Sequence, residues 1–181
     1  MTATTPLVTI PRPGADEHSP YYSTYISLVP DGNLIEMLQE QQHETVALLR
    51  GLNETQALHA YAPGKWTIKE VVGHLSDGER IFCYRALRFA RNDKQPLPGF
   101  EENEYVPAGR FNSRTLGDLV DEFVAVRAAT VHFFRHLNDV ELARQGVAND
   151  NPITVRAIAY IIAGHERHHL GILRERYLKS R

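Results

Sequence analysis

Apolar residues recur at helical spacing in four separate stretches of this 181-residue chain, and no stretch shows a convincing alternation with the period of two that a half-buried strand requires. The first stretch, about Asn33 to Leu49, aligns Leu34, Met37, Leu38, Gln41, Thr45 and Leu48. The second opens with Thr67-x-x-Glu70, the form of a capping box in which each side chain satisfies a first-turn backbone N–H, and runs from about Ile68 to Arg91. In the third, capped by Ser113 and spanning about Thr115 to Leu137, the stripe is Leu116, Leu119, Val120, Phe123, Thr130, Phe134 and Leu137. The fourth begins at Thr154 and continues to about Tyr177. Each amphipathic helix must bury one face, and four of them predict an all-α four-helix bundle without a sheet.

Residues 92–112, "NDKQPLPGFEENEYVPAGRFN", are too rich in Pro, Gly and Asn to be regular and longer than a tight turn requires. They read as a long crossover loop between helices 2 and 3. Residues 1–30 carry Pro6, Pro11, Pro13, Pro20 and Pro30 with few periodic apolar positions, and read as an N-terminal arm on a bundle domain of residues 31–181.

Composition removes several function classes. The formal net charge is −2, with basic residues scattered except for "RERYLKSR" at the end, so the basic stripe expected of a nucleic-acid binder is missing. No run approaches the eighteen or so apolar residues of a membrane span. The first twenty residues lack a basic start followed by an apolar run, and Cys83 stands alone, which fits a cytoplasmic protein without internal disulfides. Cys83 borders the apolar face of the second helix with no basic cluster nearby, as a small core residue would.

The histidines carry the chemistry. "GHERHHLGI" (164–172) places His165, His168 and His169 within five residues. At about 100° per residue, His165 and His169 fall on the line of Ile158, Ile162 and Ile172, whereas His168 lies to the side. Imidazoles at i and i+4 are one turn apart and can converge on one ion. His132 and His136 have the same spacing but lie off the apolar line of the third helix, so they read as solvated. Two readings of the inward pair remain open: core histidines satisfied by hydrogen bonds, or ligands sharing a metal that removes the cost of unpaired buried polar groups. A third ligand must come from another helix. The best candidate is His74, on the flank of the second helix with Val71, Gly78 and Ile81, where Gly73 and Gly78 would permit close approach of a neighbour. His18, His43 and His59 sit in polar or loop contexts. Glu79, near the centre of the same helix's apolar face, reads as the partner of an arginine more readily than as a carboxylate orienting a histidine.

Together, "GKWTIKEVVGHLSDGERIFCYRALRFAR", "PLPGFEENEYV" and "IAYIIAGHERHHLGIL", in that order, resemble the DinB/YfiT-like superfamily over about residues 34–178. The matching elements are Trp66 before the second helix, His74 within it, and His165-x-x-x-His169 in the last. The resemblance implies a four-helix bundle with a long crossover, a divalent metal held by His74, His165 and His169 with an open position for water or substrate, and often a homodimer. Imidazoles suit zinc or nickel, and also iron or copper. The resemblance further implies thiol-dependent transfer or isomerisation, in which the metal would lower the pKa of a low-molecular-weight thiol cosubstrate.

Two functional readings follow. One is a metal-dependent enzyme, of thiol S-transferase or hydrolase type, activating a thiol or water for attack on a small electrophile. The segment 95–109 would border its site, with Glu101, Glu102, Glu104 and Tyr105 as polar contributors. The other is a non-catalytic module in which the metal stabilises a bundle that dimerises or binds a small molecule. The substrate in either case is a small molecule rather than nucleic acid or membrane.

Overall fold

The computed structural model describes residues 9–179, so Pro6 and the rest of residues 1–8 of the expected arm lie outside the described residues. In chain order the helices are α1 (Ser23–Ile26), α2 (Leu34–Arg50), α3 (Glu54–Ala57), α4 (Ile68–Ala90), α5 (Glu102–Gly109), α6 (Leu116–Arg135), α7 (Asp139–Leu142) and α8 (Val155–Ile172). The four long ones form the bundle. α2 and α4 each pack against both α6 and α8, so the two consecutive helices α2 and α4 occupy diagonal corners. No helix among the described residues is long and apolar enough to cross a membrane.

The caps explain where the helices start. Thr67 Oγ1 accepts from the Glu70 N–H at 3.1 Å while Glu70 Oε2 accepts from the Thr67 N–H at 2.7 Å, the expected box. Asn33 and Thr154 cap α2 and α8 by accepting first-turn N–H groups on their side-chain oxygens, without the reciprocal half of the box. For α6 the expectation is corrected: Thr115 is the cap, and Ser113 closes a 3-10 turn by donating to the Arg110 carbonyl at 2.8 Å. In α2 the stripe shifts slightly, since Leu49 is fully buried and Leu48 only half-buried.

Two expectations about irregular regions are also corrected. The segment 92–112 is not structureless, because it contains α5 and the 3-10 turn Phe111–Ser113. A small sheet exists as well: β1 (Gln145–Ala148) pairs antiparallel with β2 (Asn151–Thr154). Its two-residue turn, Asn149-Asp150, has both residues at positive φ (51° and 59°), the conformation that Asn and Asp tolerate and that matches strand twist. Strands of four residues, one holding Gly146 and the other Pro152, are too short for an alternation to stand out. The hairpin also pins the crossover, since Leu97 donates to the Val147 carbonyl at 2.9 Å and accepts from the Asn149 N–H at 3.0 Å.

Residues 9–30, the described part of the expected arm, lie against α8 and β2. Arg12 donates to the Ile26 and Val29 carbonyls, and Glu17 accepts from Thr154 and from both Nε and Nη2 of Arg156. α1 crosses α8 so closely that a Cβ at Gly164 would stand 2.1 Å from the Tyr25 carbonyl oxygen. The obstruction is backbone and cannot rotate away. Gly164→Ala should therefore displace α1 and cost about 1–3 kcal/mol, the usual penalty for overpacking. A urea melt of this variant indistinguishable from wild type would show that the close crossing is absent in solution.

Candidate metal centre

α4 and α8 are adjacent corners of the bundle, and they bring His74, His165 and His169 together. One ring nitrogen from each lies within 4.8 Å of the others. The His74 and His165 Nε2 atoms are 2.9 Å apart. Nitrogens bound to one tetrahedral zinc at 2.0–2.1 Å stand about 3.3 Å from each other, so the three rings need only small adjustments to share an ion. Gly78 permits the approach, because a Cβ there would sit 3.2 Å from the His165 ring. Gly73 serves a different neighbour from the helix expected: the space a Cβ would take holds the Phe111 ring.

His74 and His165 are buried and His169 is half-buried. Burial, with the neighbouring His168 adding to it, lowers the His74 pKa to about 4. Burial, followed by His74 and His168, lowers that of His169 to about 3. Burial and the three surrounding histidines hold His165 well below its ordinary value. All three are neutral at pH 7, the form that ligates. Between them they make one hydrogen bond, His74 to His165, and no carboxylate or backbone group among the described residues bonds any of the three. Three converging neutral rings with so few protein partners fit a divalent ion with imidazole preference.

The surroundings are aromatic. Trp66 stacks at a tilt against His74 with centroids 4.8 Å apart, and Tyr177 fixes it by donating to the Trp66 carbonyl at 2.6 Å. Tyr25 lies edge-on to His165 (5.5 Å) and His168 (5.4 Å), and Phe82 approaches His165 at 5.9 Å. The histidines open onto a cavity of about 460 Å³. Glu101 and Glu102 line it, as the sequence suggested, whereas Glu104 and Tyr105 do not. His168 is exposed at its edge.

Other histidines separate as their faces dictate. His132 on the last turn of α6 and His136 at its C-cap are both exposed. His18 is buried despite its loop position, with Nδ1 2.9 Å from the Ser19 carbonyl. Cys83 is packed against the core, its thiol 3.1 Å from the Thr130 hydroxyl and pushed up to about 12 by burial, so it is no nucleophile. Glu79 pairs with an arginine: Arg127 grips both its oxygens at 2.8 Å and reaches Glu166 at 2.7 Å.

Two contributors went unread in the sequence. Tyr25 arrives from the arm, where "YYSTY" after Pro20 was an aromatic cluster without a helical stripe to interpret it. Arg85 lines the cavity from α4. Eleven residues make just over three helical turns, so Arg85 falls within about 20° of His74, and this signal was available.

A bundle with a long crossover and a three-histidine cleft defines the class. The chain belongs to the DinB superfamily, whose family model matches residues 37–173. Two relatives, from Oceanobacillus iheyensis and Geobacillus thermodenitrificans, are each 26% identical over 75% of this chain and 77% of their own. Both are named as metal-dependent hydrolases by inference. Among solved structures, YfiT from Bacillus subtilis, described as having an unusual four-helix bundle topology, superposes with a TM-score of 0.65 at 16% identity, covering 91% of this chain and 90% of that one. A mycothiol-dependent maleylpyruvate isomerase gives the same TM-score at 9% identity, covering 80% of this chain and 61% of that one. These two likenesses establish the fold.

Proposed function

We propose that the chain is a metal-dependent enzyme acting on a small molecule, with His74, His165 and His169 as its metal ligands. The observation that carries this reading is the convergence of three neutral imidazoles at the wall of a cavity rather than inside a closed core. An ion held by three protein ligands would match catalytic rather than structural zinc sites, which keep a position for water or substrate. Relatives named as metal-dependent hydrolases, and a structural neighbour that uses mycothiol, support the same reading.

Zinc or nickel, the ions favoured for this donor set, would supply a lowered pKa for a thiol or water at the open position. The protein contributes the rest. α4 and α8 fix the rings, Trp66 and Tyr25 exclude water from their flanks, and the crossover segment closes one side of the cavity. The cosubstrate is a low-molecular-weight thiol or water, and the reaction is attack on a small electrophile. The homodimer expected of the family would use the groove between α4 and α6, where Tyr84 and Leu87 are exposed beside Val126 and Phe133.

Metal analysis of untagged protein tests the assignment. Wild type should carry about one ion per chain, and His74→Ala or His165→Ala should lose most of it. The double variant His132→Ala/His136→Ala should keep it, because those rings face solvent. Loss in the double variant with retention in His165→Ala would refute the site. A screen of small electrophiles with different thiols then separates transfer from hydrolysis.

A further inference from the structure

Three lysine and arginine side chains are buried among the described residues: Lys69, Arg85 and Arg127. Two of them have carboxylates. Arg127 pairs with Glu79 and Glu166, and Lys69 with Glu54 at 2.6 Å. Arg85 is 4% exposed and no carboxylate lies within 4.0 Å of it among the described residues. Its Nη2 donates to the Pro98 carbonyl at 2.8 Å, and the Tyr22 phenol is its other polar neighbour. A buried charge of this kind is costly unless something compensates it.

Its position shows where compensation would come from. The guanidinium lines the same cavity as the three histidines, between the rings of Phe82 (6.0 Å) and Phe100 (5.9 Å). Tyr22 stands beside it: burial raises the Tyr22 pKa, and the Arg85 charge opposes that rise. The Pro98 contact is stable because Leu97 is bonded into the hairpin. The fork is thus held in place by neutral groups, the Pro98 carbonyl and the Tyr22 phenol, with no carboxylate among the described residues to balance its charge. His165 approaches the same Phe82 ring at 5.9 Å, so the histidines and the guanidinium flank one ring of a shared cavity, within the reach of a single small molecule.

We propose that Arg85 is the recognition site for the carboxylate of a small substrate whose other end reaches the histidine cluster. This deepens the enzymatic reading and rests on it for the word substrate. A planar guanidinium matches a carboxylate in a bidentate pair. The flanking rings favour an apolar or aromatic body. Glu101 and Glu102 on the same wall disfavour a second negative charge, so the substrate is a monoanion. Arg85 discriminates between an acid and its neutral amide, because the amide leaves the buried charge unpaired.

Benzoate and its neutral isostere benzamide, titrated by NMR into metal-free and zinc-loaded protein, test this. Wild type should bind benzoate at least tenfold more tightly than benzamide in both forms. Arg85→Gln should lose roughly 10- to 100-fold of benzoate affinity and leave benzamide unchanged, while Arg85→Lys keeps part of the preference. Should Arg85→Gln fail to fold, the Arg85 Nε–H resonance of labelled wild type decides: benzoate should shift it and benzamide should not. Equal affinity for the two probes in metal-free wild type, or an unmoved Nε–H resonance, would overturn the proposal, as would benzoate binding that needs zinc. Metal content measured on the same samples keeps the outcomes separate. A chain that takes up no zinc yet prefers benzoate through Arg85 would refute the metal assignment and leave the anion site standing.

Discussion

Replacing Arg127 by Met should cost about 3–5 kcal/mol, a large part of what holds a domain of this size folded. The side chain is fully buried and ties three other helices to α6. Nε and Nη2 grip Glu79 of α4, and Nη1 reaches both Glu166 of α8 and the Leu38 carbonyl of α2. Thr45 and Gln41 of α2 complete the set by donating to Glu166 at 2.7 and 3.1 Å. Removing the cation leaves two buried carboxylates facing each other without compensation. The loss therefore belongs to the stranded charges rather than to the contact itself. The triple variant Arg127→Met/Glu79→Leu/Glu166→Met should regain most of the lost stability, because an apolar core of similar volume carries no desolvation cost. Urea denaturation of both proteins checks this. A single variant within 1 kcal/mol of wild type, by about the margin expected of a surface change, would mean that the network contributes nothing.

The second large effect is loss of stability in acid by the metal-free protein. The folded pKa values of His74 and His169 are lowered to about 4 and 3, and that of His165 lies well below normal. In the unfolded chain they titrate near 6.5. Between these limits the unfolded chain binds more protons than the folded one, so stability falls as pH falls. The contribution is fully present above about pH 7 and drains away below 6.5. At pH 5, His74 and His169 should each have lost about 2 kcal/mol of it. A bound metal requires the neutral rings too, so acid should also release it. A melting temperature of the metal-free protein that does not fall between pH 7.5 and pH 5 would show that these rings are solvated.

The bundle was legible because its signal is periodic. Stripes such as Phe123, Thr130, Phe134 and Leu137 identify a helix and its inward face together, and the Thr67–Glu70 box marks a start within one residue. The same facing argument separated His165 and His169 from His132 and His136. What escaped it was set by contacts distant in sequence. Strands of four residues carry too little periodicity to be recognised, and the hairpin was marked only by the Asn149-Asp150 turn. Tyr25 reaches the site because α1 crosses Gly164, a tertiary contact without local trace. Gln41 and Thr45 sat visibly inside an apolar stripe, yet their reason, Glu166, lies more than 120 residues away. Arg85 was the one avoidable omission, since its helical phase relative to His74 could be counted.

A metal held by His74, His165 and His169, as proposed, would clamp α4 to α8. Melting with and without chelator, for wild type and His74→Ala, at pH 7.5 and pH 5.5, tests it most directly. A ligand at a hundredfold excess over its Kd adds about 2.7 kcal/mol. At roughly 2–4 °C per kcal/mol, chelation of wild type at pH 7.5 should lower Tm by about 5–10 °C. The shift should shrink at pH 5.5 and be small in His74→Ala at both, with the helical spectrum retained. Equal chelator-induced shifts in wild type and His74→Ala at pH 7.5 would remove His74 from the metal site.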